Sequence, residues 1–195
     1  EMSRGLGDVY KRQELFGYDF WGYCDMDQVW GDIRSFLTED ILDKYDKVGF
    51  LGNGTLFRNT KDNNRLYRKK IHGRELYKEI FSDVSNCFFD EVGINDIFLQ
   101  AGVPIYNKVI CSNLLFDRHN FAMAFLPKKE QYKNKNVIYL WDNGKVYHVY
   151  EHKNKVEKME LMYVHFLYYR TMQINLQESP LPQRFLIVPT EIVPY

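Results

Sequence analysis

Asp25 and Asp27 stand one residue apart at the end of an aromatic and apolar run, Tyr18 to Cys24. Read as a buried strand, that run sends side chains i and i+2 to one face, so both carboxylates would converge at its C-terminal edge. Two carboxylates placed there suit a hard divalent cation that keeps coordination positions open for phosphate oxygens. Without a cation the pair is costly, because each charge opposes ionisation of the other. A lone D-x-D is also the pattern of two solvated turn acids, and spacing alone does not separate the two readings.

The elements that would position this pair are legible from local signals. Val29 to Leu37 predicts a short helix after it, and Thr38-Glu39-Asp40 is a helix start with acids in the first turn of Ile41 to Tyr45. Val48 to Leu51 and Thr55 to Arg58 predict short strands about a Gly52-Asn53-Gly54 turn. Thr60 caps a predicted helix to about Lys69, and Gly73 to Phe81 carries a further helical pattern. Asp90-Glu91 precedes a small helix, Asn95 to Gln100, stopped by Gly102 and Pro104. Val137 to Trp141 and Lys145 to Tyr150 flank Asp142-Asn143-Gly144, which is strong hairpin chemistry. Met159 to Phe166 predicts one more strand, leading into the segment that carries Arg170. With no internal repeat or linker, the pattern predicts a single domain of mixed α and β structure.

Glu1 to Gln13 has neither periodicity, and Asp8-Val9-Tyr10-Lys11-Arg12-Gln13 resembles the translated end of a sequencing adapter. The segment is therefore read as a non-native leader, with the natural chain expected from Glu14 and its preceding part missing. The competing reading is a genuine disordered leader.

Composition narrows the function classes. Of the 195 residues, 26 are Lys or Arg and 26 are Asp or Glu, so no global field would draw in nucleic acid. The basic run Arg65 to Lys70 is flanked by Asp62 and Glu75 and reads as a solvated helix face. Cys24, Cys87 and Cys111 are widely spaced and odd in number, which predicts reduced thiols in a cytosolic protein. No apolar stretch approaches the length of a membrane-spanning helix, and none reads as a secretory signal. Aromatics at 16% suit strands and sugar-stacking surfaces, but a Tyr/Phe-rich core accounts for them more readily.

Tyr18-Asp19-Phe20-Trp21-Gly22-Tyr23-Cys24-Asp25-Met26-Asp27, continued by Gln28-Val29-Trp30-Gly31-Asp32-Ile33-Arg34, resembles the D-x-D segment of GT-A glycosyltransferases. More closely, it resembles a bacterial glycosyltransferase-like family of unknown function found in surface-polysaccharide gene clusters. The likeness continues at Gly52 to Asn59, at Phe89-Asp90-Glu91, and at Val164-His165-Phe166 with Arg170, and covers Glu14 to about Met172. It implies an α/β fold of GT-A type, a mixed sheet with flanking helices that is expected to be incomplete at its N-terminus. Residues 14–195 would be the C-terminal part of that single domain.

By the same resemblance Asp27 is a metal ligand and Asp25 its partner, toward the metal or the donor's ribose, and the cofactor is Mn²⁺ or Mg²⁺. His165 would add an imidazole ligand and Arg170 a base for the diphosphate, roles that suit both residue types. Outside the resemblance, a histidine in an aromatic strand also reads as a satisfied core residue. Asp90 and Glu91 form the candidate catalytic pair, deprotonating an acceptor hydroxyl or else stabilising the helix that follows. Arg58 and Asn59 are further cleft candidates, and strand-edge solvation explains them as well. Asn53 and Tyr169 depart from the residues that relatives tend to carry, respectively a histidine and a base. The implied activity is metal-dependent transfer from a nucleotide-sugar donor to a saccharide or lipid-linked acceptor, in the cytoplasm or peripherally at the inner face of the cell membrane. The competing classes are a non-catalytic carbohydrate-binding module and a metal-dependent phosphotransferase or nuclease.

Overall fold

Among the described residues strands outnumber helices, and the structure, a computed structural model, is mixed α/β with three sheets. It describes residues 14–83, 89–117, 120–123, 137–167, 172–177 and 179–195, without the side chains of 91, 115–117 and 120–123. The expected leader, Cys87, Tyr169 and Arg170 lie outside the described residues. The strands to the middle of the chain are β1 (Phe20–Cys24), β2 (Gln28–Trp30), β3 (Lys47–Val48), β4 (Gly54–Arg58), β5 (Ile105–Tyr106), β6 (Cys111–Asp117) and β7 (Asn120–Met123). Those that follow are β8 (Val137–Asp142), β9 (Lys145–His152), β10 (Lys155–Leu161), β11 (Tyr163–Leu167), β12 (Gln173–Ile174), β13 (Arg184–Val188) and β14 (Glu191–Pro194). The α-helices are short: α1 (Ile33–Phe36), α2 (Glu39–Lys44), α3 (Leu76–Ser82) and α4 (Ile94–Gln100).

The chain divides into two compact units. The first holds the residues up to Cys24 and those from Glu39 to Lys108. Its sheet has the order β1-β4-β3-β5, antiparallel except for the β3–β5 pair. Phe57, Ile71, Ile94, Ile97 and Phe98 form its core, with Trp21 packed against them. β1 is half-buried to exposed rather than buried, because it is an edge strand whose aromatic run is only partly covered. Gly22 is required there: a Cβ would lie 2.2 Å from the Thr55 carbonyl oxygen on β4. Thr60 accepts from the Asn63 amide at 3.1 Å, as its sequence position predicts, but the element it starts is a 3₁₀ turn, Asn63–Arg68.

The second unit holds Asp25–Thr38 and the residues from Val109 onward. It contains a six-stranded sheet, β10-β9-β8-β13-β14-β12, and a four-stranded sheet, β2-β11-β6-β7. The β8–β9 hairpin is where the sequence placed it. Asn143 and Gly144 take φ of 49° and 85°, the left-handed backbone that a two-residue type I′ turn demands. Leu114, Tyr139, Val146, Val164, Phe166 and Ile187 are among the residues of the unit's core. Because side chains alternate along a strand, β11 sends Val164 and Phe166 into that core and turns Tyr163 and His165 to its other face.

Further elements differ from their local sequence pattern. The expected helix over Val29 to Leu37 begins instead as β2, and α1 has four residues. Val29 and Trp30 favour a pleated surface, and β11 offers them a ladder that outweighs a short helix. The apolar run Met159 to Phe166 is two strands in two sheets. Met162 joins them, donating its amide to Ile110 at 2.7 Å and accepting from Gly31 at 2.8 Å. A Cβ on Gly31 would lie 2.8 Å from the Val146 amide nitrogen and 2.9 Å from the Leu161 carbonyl oxygen, so this corner excludes a side chain. Among the described residues no helix is long and apolar enough to cross a membrane.

β9 buries a titratable group. His148 lies against the rings of Tyr139 and Tyr150, with centroids 5.1 and 5.0 Å away, and desolvation lowers its pKa to about 4. An unfolded histidine titrates near its ordinary value of about 6.5. Between those two values the unfolded chain binds more protons, so stability should fall as pH drops through the window, by on the order of 3 kcal/mol in all. Denaturant titrations near neutrality and near pH ~4 should show this loss. His148→Phe should remove that share of the pH dependence, and an unchanged dependence would contradict the assignment.

Candidate metal centre

The site is built on the β2–β11 ladder. Their antiparallel register sets His165 opposite Gln28, and the parallel β11–β6 register sets His165 opposite Asn113. Three polar side chains thus stand in one row across three neighbouring strands. The ladder continues one step past β2, where the Phe166 amide donates to the Asp27 carbonyl at 3.0 Å. That bond ties the D-x-D segment to the strand bearing the histidine.

Asp25, Met26 and Asp27 are not on a strand; they form a bend between β1 and β2. Their convergence therefore comes from the bend and its anchor on β11, not from strand alternation at a sheet edge. Asp25 Oδ2 lies 3.4 Å from His165 Nε2, and Asp27 Oδ1 lies 3.3 Å from it. Ligand atoms of all three residues fall within 4.8 Å of one another. Exposure is graded across the group, from 4% for the His165 side chain through 31% for Asp25 to 56% for Asp27.

His165 Nδ1 is 2.7 Å from Asn113 Oδ1, in a buried contact. With the amide oxygen accepting, Nδ1 carries the proton, and Nε2 faces the two carboxylates. A nitrogen lone pair aimed at two negative groups is repulsive unless positive charge sits among them. A metal ion supplies that charge. The donor set fits an ion. Ligand bonds of roughly 2.1 Å set about 90–110° apart place donor atoms roughly 3.0–3.4 Å from each other, as the two nitrogen–oxygen distances are. Two hard oxygens and one imidazole nitrogen suit Mn²⁺ or a similar divalent ion, and the exposed Asp27 side leaves room for outside ligands.

The remaining sequence candidates have other places. Asp90 lies in the first unit, half-buried in a π turn, Phe89–Gly93, and its carbonyl accepts from the Tyr23 hydroxyl at 3.5 Å. Glu91 shares that turn, and its side chain, like Arg170, is outside the described residues. Asn53 is buried in the first unit. Arg58 holds the C-terminal end of α2, donating to the Leu42, Asp43 and Tyr45 carbonyls and pairing with Asp46 at 2.6 Å. A cation there also complements the helix dipole. Asn59 donates to the Leu15 and Tyr18 carbonyls at 2.8 and 2.9 Å and accepts from Asn64. Both residues, expected as cleft candidates, tie the first unit's loops together. Residues flanking the D-x-D are also scaffold: Trp21 donates to Asn64 at 2.7 Å, and Asp32 caps α1 through the Ser35 amide at 3.3 Å. Asn113 was not singled out from the sequence. Its sole signal is a polar pair, Ser112-Asn113, inside an apolar strand, and its partner becomes visible with the β6–β11 register.

A family model described as a family of unknown function (DUF6625) matches residues 6–195. No curated protein and no solved structure matches the chain.

The ligand set predicts that the protein binds Mn²⁺ and that Asp27→Asn, which removes a charge and a hard ligand while keeping shape, weakens binding by more than about tenfold. Stability should change by no more than about 0.5 kcal/mol, because the side chain is largely exposed. A titration followed by the electron paramagnetic resonance of free Mn²⁺ measures the first and thermal melting the second. Unchanged affinity would remove Asp27 from the ligand set.

Proposed function

The chain belongs to the DUF6625 family, a family of unknown function, and we propose that it is a metal-dependent glycosyltransferase of GT-A type. Its donor is a nucleoside-diphosphate sugar, and its acceptor a saccharide or lipid-linked saccharide in surface polysaccharide synthesis, in the cytoplasm or at the inner face of the cell membrane. The observation that carries this reading is the convergence of Asp25, Asp27 and His165 on one point, buried on the imidazole side and open on the Asp27 side. The D-x-D resemblance supplies the reaction class.

A bound divalent ion supplies electrostatic stabilisation to a departing diphosphate. Asp25, Asp27 and such an ion sum to zero charge, so the donor's diphosphate brings about two negative charges that Arg170 offsets in part. Asp90 takes the acceptor hydroxyl proton, or holds the sugar by a hydrogen bond.

Release of nucleoside diphosphate from a panel of nucleotide sugars tests the reading. Turnover should require Mn²⁺ or Mg²⁺ and should be abolished by Asp27→Asn. Arg170→Ala should weaken donor binding by roughly 2–4 kcal/mol, as expected for a desolvated phosphate fork. Asp90→Asn should lose transfer while still binding donor if it is the base; a variant with full activity and about 1 kcal/mol less stability would make it a helix-terminal acid. Full turnover in EDTA-treated, metal-free protein would overturn the metal mechanism.

A further inference from the structure

We propose that Asn113 is the positioning residue of the metal centre: it holds the proton of His165 on Nδ1 and so aims Nε2 at Asp25 and Asp27. The inference rests on the metal site of the proposed function. His165 and Asn113 are each 3% exposed, on adjacent strands and in register, with Nδ1 2.7 Å from Oδ1. The ring's other nitrogen is the atom that lies 3.4 and 3.3 Å from the two carboxylates. An imidazole with a proton on Nε2 offers those carboxylates a donor and offers a cation nothing. With Nδ1 protonated, the Nε2 lone pair is available to an ion.

An unconstrained neutral imidazole exchanges between these tautomers and turns about its side-chain bonds. The amide oxygen of Asn113 selects one tautomer and one ring orientation, and its burial beside β11 limits its own rotation. Partners of this kind, a hydrogen-bond acceptor behind a ligating histidine, commonly change metal affinity by about 10–100-fold when removed. The type of residue matters as well. An acceptor is required at this position, and a side chain of equal size without one leaves the Nδ1 proton unpaired in a buried place.

The test has two arms. In the first, protein labelled with ¹⁵N in its five histidines is studied metal-free by long-range ¹H–¹⁵N correlation, with the His165 signals assigned through a His165→Gln variant. Wild type and Asn113→Asp should show the proton on Nδ1, and Asn113→Leu should show a mixture or the other tautomer. A wild-type ring protonated on Nε2 and bare on Nδ1 would overturn the proposal even if Asn113→Leu fails to fold. In the second arm Mn²⁺ affinity is measured by paramagnetic titration. Asn113→Leu should bind about 10–100-fold more weakly than wild type, and Asn113→Asp, which keeps the acceptor, should restore binding to within about threefold. Equal affinity of wild type and Asn113→Leu would sink the positioning role while leaving the metal site intact. If the wild type itself binds no Mn²⁺, the proposed function fails, and the tautomer arm still decides whether Asn113 orients the ring.

Discussion

The antiparallel pairing of β2 with β11 is the constraint on which the site depends. It is bounded by two hydrogen bonds, Gly31 to the Met162 carbonyl at one end and Phe166 to the Asp27 carbonyl at the other. Between them the register is fixed, because a slip of one residue would turn Tyr163 and His165 into the core and carry Val164 and Phe166 out of it. Burial of such side chains contributes roughly 1.5–3 kcal/mol each, so the slipped state is strongly disfavoured. The energy that holds the ligand geometry thus comes from apolar residues on the opposite face of the same strand.

The buried polar row on β11's other face has its own requirement. His165 and Asn113 are withdrawn from water, and a buried polar atom without a partner costs about 1–3 kcal/mol. Each satisfies the other at 2.7 Å. Losing one partner therefore leaves a deficit in the second, which couples strand stability to ring orientation. The carboxylates contribute differently. Asp27 is more than half exposed, so solvent screens it, and its position is set by its own backbone carbonyl on β11 instead of by packing.

Local chemistry made part of this legible. The Asp142-Asn143-Gly144 turn announced the β8–β9 hairpin because a type I′ turn needs two left-handed residues, a requirement met within the turn itself. Thr60 likewise announced its own cap. The helix expected over Val29 to Leu37 failed because the partner that makes Gln28–Trp30 a strand lies more than a hundred residues away, and no window of local sequence contains it. The split at Met162 was hidden for a similar reason: a continuous apolar run is compatible with one strand or with two in different sheets. At the candidate site, residue type and spacing pointed to Asp25 and Asp27 and the family resemblance to His165, whereas Asn113 needed the β6–β11 register to be recognised. Arg58 and Asn59 show the converse. Polar residues beside a motif look functional until their hydrogen bonds to loop carbonyls are counted.

A divalent ion between His165 Nε2 and the two carboxylates would give the three side chains an electrostatic reason to stay together. The graded exposure then assigns direction. The imidazole approaches from the buried side, where Asn113 fixes it, while Asp27 borders solvent. Any exchange of water or phosphate oxygen around an ion would occur on that outer side, because the inner side is closed by strands β11 and β6. Were an ion bound, a preformed inner ligand with a screened outer one would keep the centre ordered yet open. That combination follows from a single ladder register and one buried hydrogen bond.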